Sequence, residues 1–414
     1  MFDEKTLLTL ANEYPLGFYV CDLDAFDFNY HEFYSAFKRH YDNIKLAYSY
    51  KTNYLPALCH RINELGGYAE VVSRMEYDFA LLLNVPGEGI VFNGPLKTRD
   101  DYIVASRNRS LVNLSEIYEI DLLKDLSSEY KELKHRVGIR CAIHLQGENP
   151  SRFGFDVNSE KFQSAVTSIS SLPNVELEGL HCHMIPAERR PEDYHEISSR
   201  LVEISKQIWG KNGPSFLDMG GGFFSNMSDD LRRQFKIRIP TFSEYGSAIT
   251  EPFVSSFGRS GGPQLILEPG LALVADTFYY VCKVVDVKRV ADKNIALASG
   301  SVYNIIPTKS PKNLPLKHIH SNNMSSISIT PPIDIVGYTC MEDDYMYRGY
   351  NESLKINDLL VFGNVGAYTL VLKPPFINGN VPVLAYREKS DEKEILRREE
   401  TLEDMIRTYT IDSK

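Results

Sequence analysis

Along the first two-thirds of the chain, short runs rich in β-branched and aromatic residues alternate with longer segments of helical spacing. The runs are residues 45–50 (KLAYSY), 68–72, 89–92, 110–114, 137–142, 177–181, 216–219 and 264–268. Such alternation is the mark of repeated βα units. The stretch 115–126 (SEIYEIDLLKDL) illustrates the helical part. Its opening serine and following glutamate suit a helix N-terminus, and Ile117, Ile120 and Leu123 can share one face. Eight such units predict a closed (β/α)8 barrel.

After Pro269 the pattern changes to frequent β-branched residues and turn signals, as in 278–290 (FYYVCKVVDVKRV) and 358–362 (DLLVF). This predicts an α/β chain whose barrel, 28–270, is followed by a mostly β C-terminal domain, 271–414, to which we assign 1–27 as well. Residues 308–331 are rich in Pro, Ser and Asn and predict an extended loop, while 391–409 predicts an amphipathic helix.

Composition narrows the function. Apolar residues make up 43% of the 414 and charged residues 24%, which excludes disorder, collagen and coiled coil for the chain as a whole. A formal charge of -10 would repel nucleic acid and anionic membranes, so neither is expected as a partner. The N-terminus lacks a basic stretch leading into an apolar one, and no apolar run could span a bilayer, so a cytoplasmic location is expected. The six cysteines include no C-x-x-C pair, which predicts packed thiols rather than zinc ligands or disulfides; only Cys340 has neighbours of chemical interest.

In a (β/α)8 barrel the reacting side chains sit at the C-terminal strand ends. Gathered there are Lys51, Glu70 with Ser73, His181 with His183, Asp218 with Gly220-Gly221-Gly222, and Glu268. A lysine leaving an apolar strand can be desolvated and form a Schiff base, though a solvated surface lysine is the plainer reading. Three glycines leave backbone N–H groups unshielded for a phosphate, or simply make a tight turn. The two histidines, two apart on a strand, point to one face; no matching ligand set accompanies them, so no metal is expected.

These residues in this order resemble the alanine-racemase-like fold of pyridoxal-phosphate enzymes, in particular its decarboxylase branch of diaminopimelate, ornithine and arginine decarboxylases. The resemblance rests on 48–53 (YSYKTN), 179–183 (GLHCH), 218–223 (DMGGGF), 268–270 (EPG) and 366–369 (GAYT). Shorter echoes are 70–73 (EVVS), 93–97 (NGPLK) and 151–155 (SRFGF). It implies pyridoxal 5′-phosphate as cofactor, Lys51 as the Schiff-base lysine and His183 stacked on the ring. It also implies a cofactor shell of Glu70, Ser73, Arg140, Gly220, Gly221, Gly222, Glu268, Gly270 and Tyr368. Glu268 would keep the pyridine nitrogen protonated, which makes the ring a strong electron sink and favours loss of CO2 over racemisation.

Residues 337–344 (GYTCMEDD) are similar to the family segment that enters the neighbouring subunit's site. This implies a homodimer with shared sites, Cys340 as proton donor to the α-carbon, and Glu342, Asp343 and Asp344 against the distal end of the substrate. The pattern also breaks. Leu271 stands where the family has an arginine after E-P-G, Ile185-Pro186 replace G-S after the histidine, and 298–307 lacks the arginine that holds a distal carboxylate in diaminopimelate decarboxylases. These departures imply a substrate other than diaminopimelate, an amino acid or amino-acid conjugate of a siderophore, polyamine or antibiotic pathway. A racemase on the same fold, and a catalytically silent homologue that binds a protein partner, are the alternatives.

Overall fold

In the computed structural model, which describes residues 2–321, 327–388 and 394–410, the eight β-rich runs form strands. They are Ile44–Ser49, Tyr68–Val71, Ile90–Phe92, Leu111–Leu114, His135–Ala142, Val175–His181, Phe216–Asp218 and Gln264–Leu267. Each pairs in parallel with the next, and the last pairs with the first, so the sheet closes on itself. Helices cover the outside, and strands such as Ile90–Phe92 and Leu111–Leu114 are buried along their whole length. Burial on both faces is why these runs read as continuously apolar rather than alternating.

Ala47, Val91, Leu111, Phe216 and Ile266 fill the interior of the barrel. The Phe216 ring explains two strand glycines: a Cβ at Gly138 or at Gly179 would come within 2.7 Å of a ring carbon. The barrel belongs to one compact unit, Asn29–Phe224 with Ile237–Ala272; a second comprises Met1–Phe28, Ser225–Lys236 and Leu273–Lys414. One local expectation fails. The helix expected from 115 starts at Tyr118, and Ile117 is 52% exposed; Ile120, Leu123 and Leu126 form the buried face. The Glu119 carboxylate accepts the Ser115 and Glu116 N–H groups at 2.7 and 2.9 Å, so those residues become the turn before the helix.

The second unit is built on a nine-stranded sheet. Its long strand Phe278–Val290 pairs antiparallel with Phe18–Asp22, Lys293–Ala298 and Leu359–Gly363, and Phe18–Asp22 pairs in parallel with Val383–Tyr386. Leu7, Leu10, Phe18, Val281, Leu359 and Leu384 lie in its core. Two expectations are corrected here. The stretch 308–331, expected to be loop, contains the strand Leu316–Ile319, which pairs with Leu359–Gly363, and the short strand Ser328–Ile329; residues 322–326 lie outside the described residues. The helix expected over 391–409 is instead the strand Glu394–Arg397, paired with Val383–Tyr386, followed by a helix only over Leu402–Ile406; 391–393 lie outside the described residues. Strand pairing overrode a weak helical periodicity. Among the described residues no helix is long and apolar enough to cross a membrane.

Candidate active site

The register of the barrel sets the site. Ser49 lies beside Glu70, Arg140 beside His181, and His181 beside Asp218, so polar residues from distant stretches arrive at one level of the C-terminal mouth. Lys51 stands in the single-turn helix Tyr50–Thr52 immediately after the first barrel strand. That turn is anchored by the Tyr48 hydroxyl, which donates to the Asn53 carbonyl at 2.8 Å, and by the Ser49 N–H, which donates to the Pro269 carbonyl at 3.3 Å. A Cβ at Gly270 would meet Thr52 Oγ1 at 2.0 Å, so the E-P-G turn can lie against the lysine turn only with glycine there.

A continuous polar chain crosses the mouth. Lys51 Nζ pairs with the Glu70 carboxylate and donates to Ser49 Oγ at 2.7 Å, while Ser49 Oγ donates to Glu70 Oε2 at 2.5 Å. Asn93 Nδ2 donates to Glu70 Oε1 at 3.0 Å and to Glu268 Oε1 at 2.5 Å, and Asn113 holds the Asn93 carbonyl oxygen at 2.8 Å. Beyond Glu268 lie His181 Nε2 at 3.6 Å and His183 Nδ1 at 3.4 Å. Asn93, Asn113 and Ser49 carry no role in the sequence reading, although their positions at or just after barrel strand ends are the signal that finds them.

Electrostatics sort the buried acids. Burial disfavours a charge on Glu268, but the His181 and His183 imidazoles and the Lys51 ammonium outweigh it and hold its carboxyl well below the usual range. Burial and the neighbouring Glu268 charge push Asp218 the other way, toward the protonated form. Burial also lowers His181, against the attraction of Glu268, and lowers Arg140, whose guanidinium donates to the His183 carbonyl at 3.1 Å. Two buried acids pushed in opposite directions at one strand-end level is a division typical of reacting centres.

The glycine loop has left-handed backbone at Gly220 (φ 64°) and Gly222 (φ 91°), and a Cβ at Gly221 would lie 2.3 Å from the Glu268 carbonyl oxygen. Two of the three loop amides face side chains of the site: Gly220 N–H donates to Asp218 Oδ1 at 2.9 Å, and Gly221 N–H to His183 Nδ1 at 3.1 Å. Ser73 caps the helix Arg74–Leu82, accepting the Glu76 N–H at 3.2 Å.

The remaining expected site residues lie in the second unit. Cys340 is exposed, whereas the other five cysteines are buried. Tyr368 has left-handed backbone and is 37% exposed ahead of the helix Thr369–Leu372. The three acids differ. Asp344 is buried and accepts from Ser301 Oγ, Val302 N, Thr339 N and Thr339 Oγ1, so it brackets its own loop. Asp343 pairs with Lys309 at 2.7 Å, and Glu342 is exposed.

Residues 29–275 match the family model described as pyridoxal-dependent decarboxylase, pyridoxal binding domain. Over 98% of its length the chain is 26% identical to the diaminopimelate decarboxylase of Methanocaldococcus jannaschii, covering 93% of that protein. The Bacillus subtilis diaminopimelate decarboxylase is 25% identical over 97% of this chain and 92% of its own. Among solved structures, the M. jannaschii diaminopimelate decarboxylase in complex with L-lysine superposes with a TM-score of 0.85 at 23% identity, covering 98% of this chain and 94% of the other. The Vibrio vulnificus lysine/ornithine decarboxylase complexed with putrescine gives 0.75 at 17%, covering 94% and 100%.

The mouth suits the cofactor that this family uses. Asp218 Oδ2 and both ring nitrogens of His181 are buried without a hydrogen-bond partner among the described residues, beside an ionised carboxylate, an amine and a glycine loop into which no Cβ fits. A planar, phosphorylated pyridine aldehyde presents complementary groups to such a set. The chain belongs to the pyridoxal-dependent decarboxylases, and pyridoxal 5′-phosphate is its cofactor.

Proposed function

We propose that this decarboxylase removes the α-carboxylate of an amino acid whose far end is an amine or is joined to a larger group. Bound in the barrel, pyridoxal 5′-phosphate supplies the electron sink for the pair left when CO2 departs. The observation that carries the reading is the polar chain that runs from Lys51 through Glu70 and Asn93 to the buried Glu268. Glu268 would face the pyridine nitrogen and favour its protonated form, Lys51 would hold the cofactor through its amine, and His183 would lie against the ring. Asn93 keeps Glu70 and Glu268 at a set spacing, so movement of a proton at Lys51 is felt at Glu268. Gly222 and the E-P-G turn would hold the phosphate, and Arg140 and Ser73 would complete the cofactor shell in the same unit. Cys340, the exposed thiol, delivers a proton to the α-carbon in the site of a second copy of the chain, which makes the enzyme a homodimer working in the cytoplasm.

Substrate choice follows from the cations that are missing. Leu271 offers no partner for a carboxylate, so a substrate with a second carboxylate gains nothing there. The reading with a different observation behind it is diaminopimelate itself, supported by relatives of that name matching nearly the whole chain. Release of CO2 from meso-diaminopimelate, lysine, ornithine, arginine and their N- or distal-end conjugates separates the two. A higher kcat/KM for an amine-ended or conjugated substrate is the expected result; a preference for diaminopimelate overturns this specificity, and loss of substrate chirality without CO2 overturns decarboxylation.

A further inference from the structure

Among the described residues, two groups of side chains converge as metal ligands do: His181, His183 and Glu268 in the barrel mouth, and His318, His320 and Asp358 in the second unit. The second group has no part in the cofactor chemistry. His318 and His320 alternate along the strand Leu316–Ile319 and the residue after it, so both rings leave the same face. Antiparallel pairing places Ile319 against Leu359, which brings the following residue, His320, alongside Asp358.

We propose that His318 and His320, oriented by Asp358 and Glu352, form a binding site for a divalent transition-metal ion of the zinc class. The two Nε2 atoms lie 3.2 Å apart. Two ligands on one tetrahedral ion with bonds of about 2.0–2.1 Å stand roughly 3.3–3.4 Å apart, nearly the same spacing. Each ring's other nitrogen faces an oxygen. His320 Nδ1 lies 3.4 Å from Asp358 Oδ2; His318 Nδ1 lies 2.5 Å from the Tyr350 hydroxyl and 3.4 Å from Glu352 Oε2. An ionised carboxylate only accepts, so Asp358 favours the proton on His320 Nδ1 and turns that Nε2 lone pair outward; His318 is arranged likewise when the Tyr350 hydroxyl accepts from its Nδ1. Two lone pairs facing each other at this distance repel unless a metal ion or a shared proton lies between them.

The supporting residues are built for the task. Asp358 is wholly buried, and its oxygens are steered by the Ser321 N–H at 3.0 Å and the Lys355 N–H at 2.9 Å, leaving acceptor capacity toward His320. A buried carboxylate behind a histidine behind an ion is the usual second layer of a metal site. His318 is nearly buried while His320 is open to solvent, so an ion can enter and complete its coordination with water. Held this way, the ion would tie the edge strand to the 350–358 segment.

The test uses the full-length, cofactor-loaded enzyme, stripped with a chelator and titrated with Zn2+ alone, bound metal being counted by equilibrium dialysis and elemental analysis. One Zn2+ per chain is expected, with an X-ray absorption spectrum showing two imidazole ligands. His320→Gln and His318→Gln should each abolish that stoichiometric site, and Asp358→Asn should weaken it by about 10- to 100-fold. Because Asp358 is buried, the exposed His320 variant decides the matter if Asp358→Asn fails to fold. His183→Gln should leave the binding intact, which separates this site from the barrel mouth. Sub-stoichiometric binding by the wild type, or binding unchanged in His320→Gln, overturns the proposal and leaves the pair as a hydrogen bond between imidazoles.

Discussion

Two lysine–glutamate pairs in the barrel unit share their chemistry and differ in everything else. Lys97 and Glu119 are sealed, both side chains fully buried, with Nζ 2.7 Å from Oε1. Lys97 also donates to the Gly94 carbonyl at 2.5 Å, and Glu119 accepts the Tyr102 hydroxyl and two backbone N–H groups. Lys51 pairs with an equally buried Glu70, yet its own side chain is 31% exposed and sits at the strand ends. A sealed pair with its oxygens and amine occupied can only hold the structure together. An open pair, whose carboxylate is fixed by Ser49 and Asn93 while its amine can be reached from solution, can react. Position in the barrel decides which lysine is which, since both follow a β-rich run in the sequence.

The comparison breaks first at Lys51. Lys51→Ala should abolish both CO2 release and the borohydride-sensitive visible absorbance, with no pyridoxyl mass on the 48–53 peptide; a retained band would remove Lys51 from its role. Glu268→Gln should keep the absorbance while lowering kcat about 100-fold or more, the scale of losing a preorganised charge in a reacting site; an unchanged kcat would mean that Glu268 does not govern the pyridine nitrogen. Lys97→Met should do the opposite. It leaves Glu119 buried without its countercharge and should cost about 3–5 kcal/mol in urea denaturation, while the folded fraction keeps its absorbance. Replacing both partners with apolar residues should recover much of that loss.

A third lysine sharpens the contrast by being buried with no ion pair to a carboxylate among the described residues. Burial, then repulsion from Arg397, lowers Lys373 to about 8, and its amine donates only weakly, to the Pro374 carbonyl at 3.3 Å. The unfolded chain binds this proton more tightly than the folded one, so Lys373 costs stability below about pH 8, and the cost fades as pH rises toward the unfolded value of 10.5. Lys373→Met should therefore raise stability by about 2 kcal/mol at pH 7, with the gain shrinking between pH 8 and 10.5 in paired denaturation curves. A gain independent of pH would point to packing rather than charge.

Much of the barrel was legible because both its elements and its site are local. Strand runs show in a handful of consecutive residues, and Y-S-Y-K-T-N, G-L-H-C-H, D-M-G-G-G-F and E-P-G each carry their chemistry within one strand end. What did not show there depends on distant partners. Asn93 looks like any polar strand end until closure of the barrel sets it between Glu70 and Glu268, 23 and 175 residues away. Asp344 reads as one acid of an acidic turn until Ser301, Val302 and Thr339 surround it. The Pro- and Asn-rich stretch holding His318 and His320 reads as loop until Leu359–Gly363 gives it a strand to pair with.

The sequence alone thus determined the barrel, the place of Lys51 at a strand end, the glycine loop and the family, because short-range periodicity and motif spacing survive in one dimension. Tertiary structure decided which acids are charged, which lysine is sealed and which histidines meet. Those properties depend on dielectric and on distances of about 3 Å between residues far apart along the chain, and only closure of the barrel and pairing of the β sheet set them.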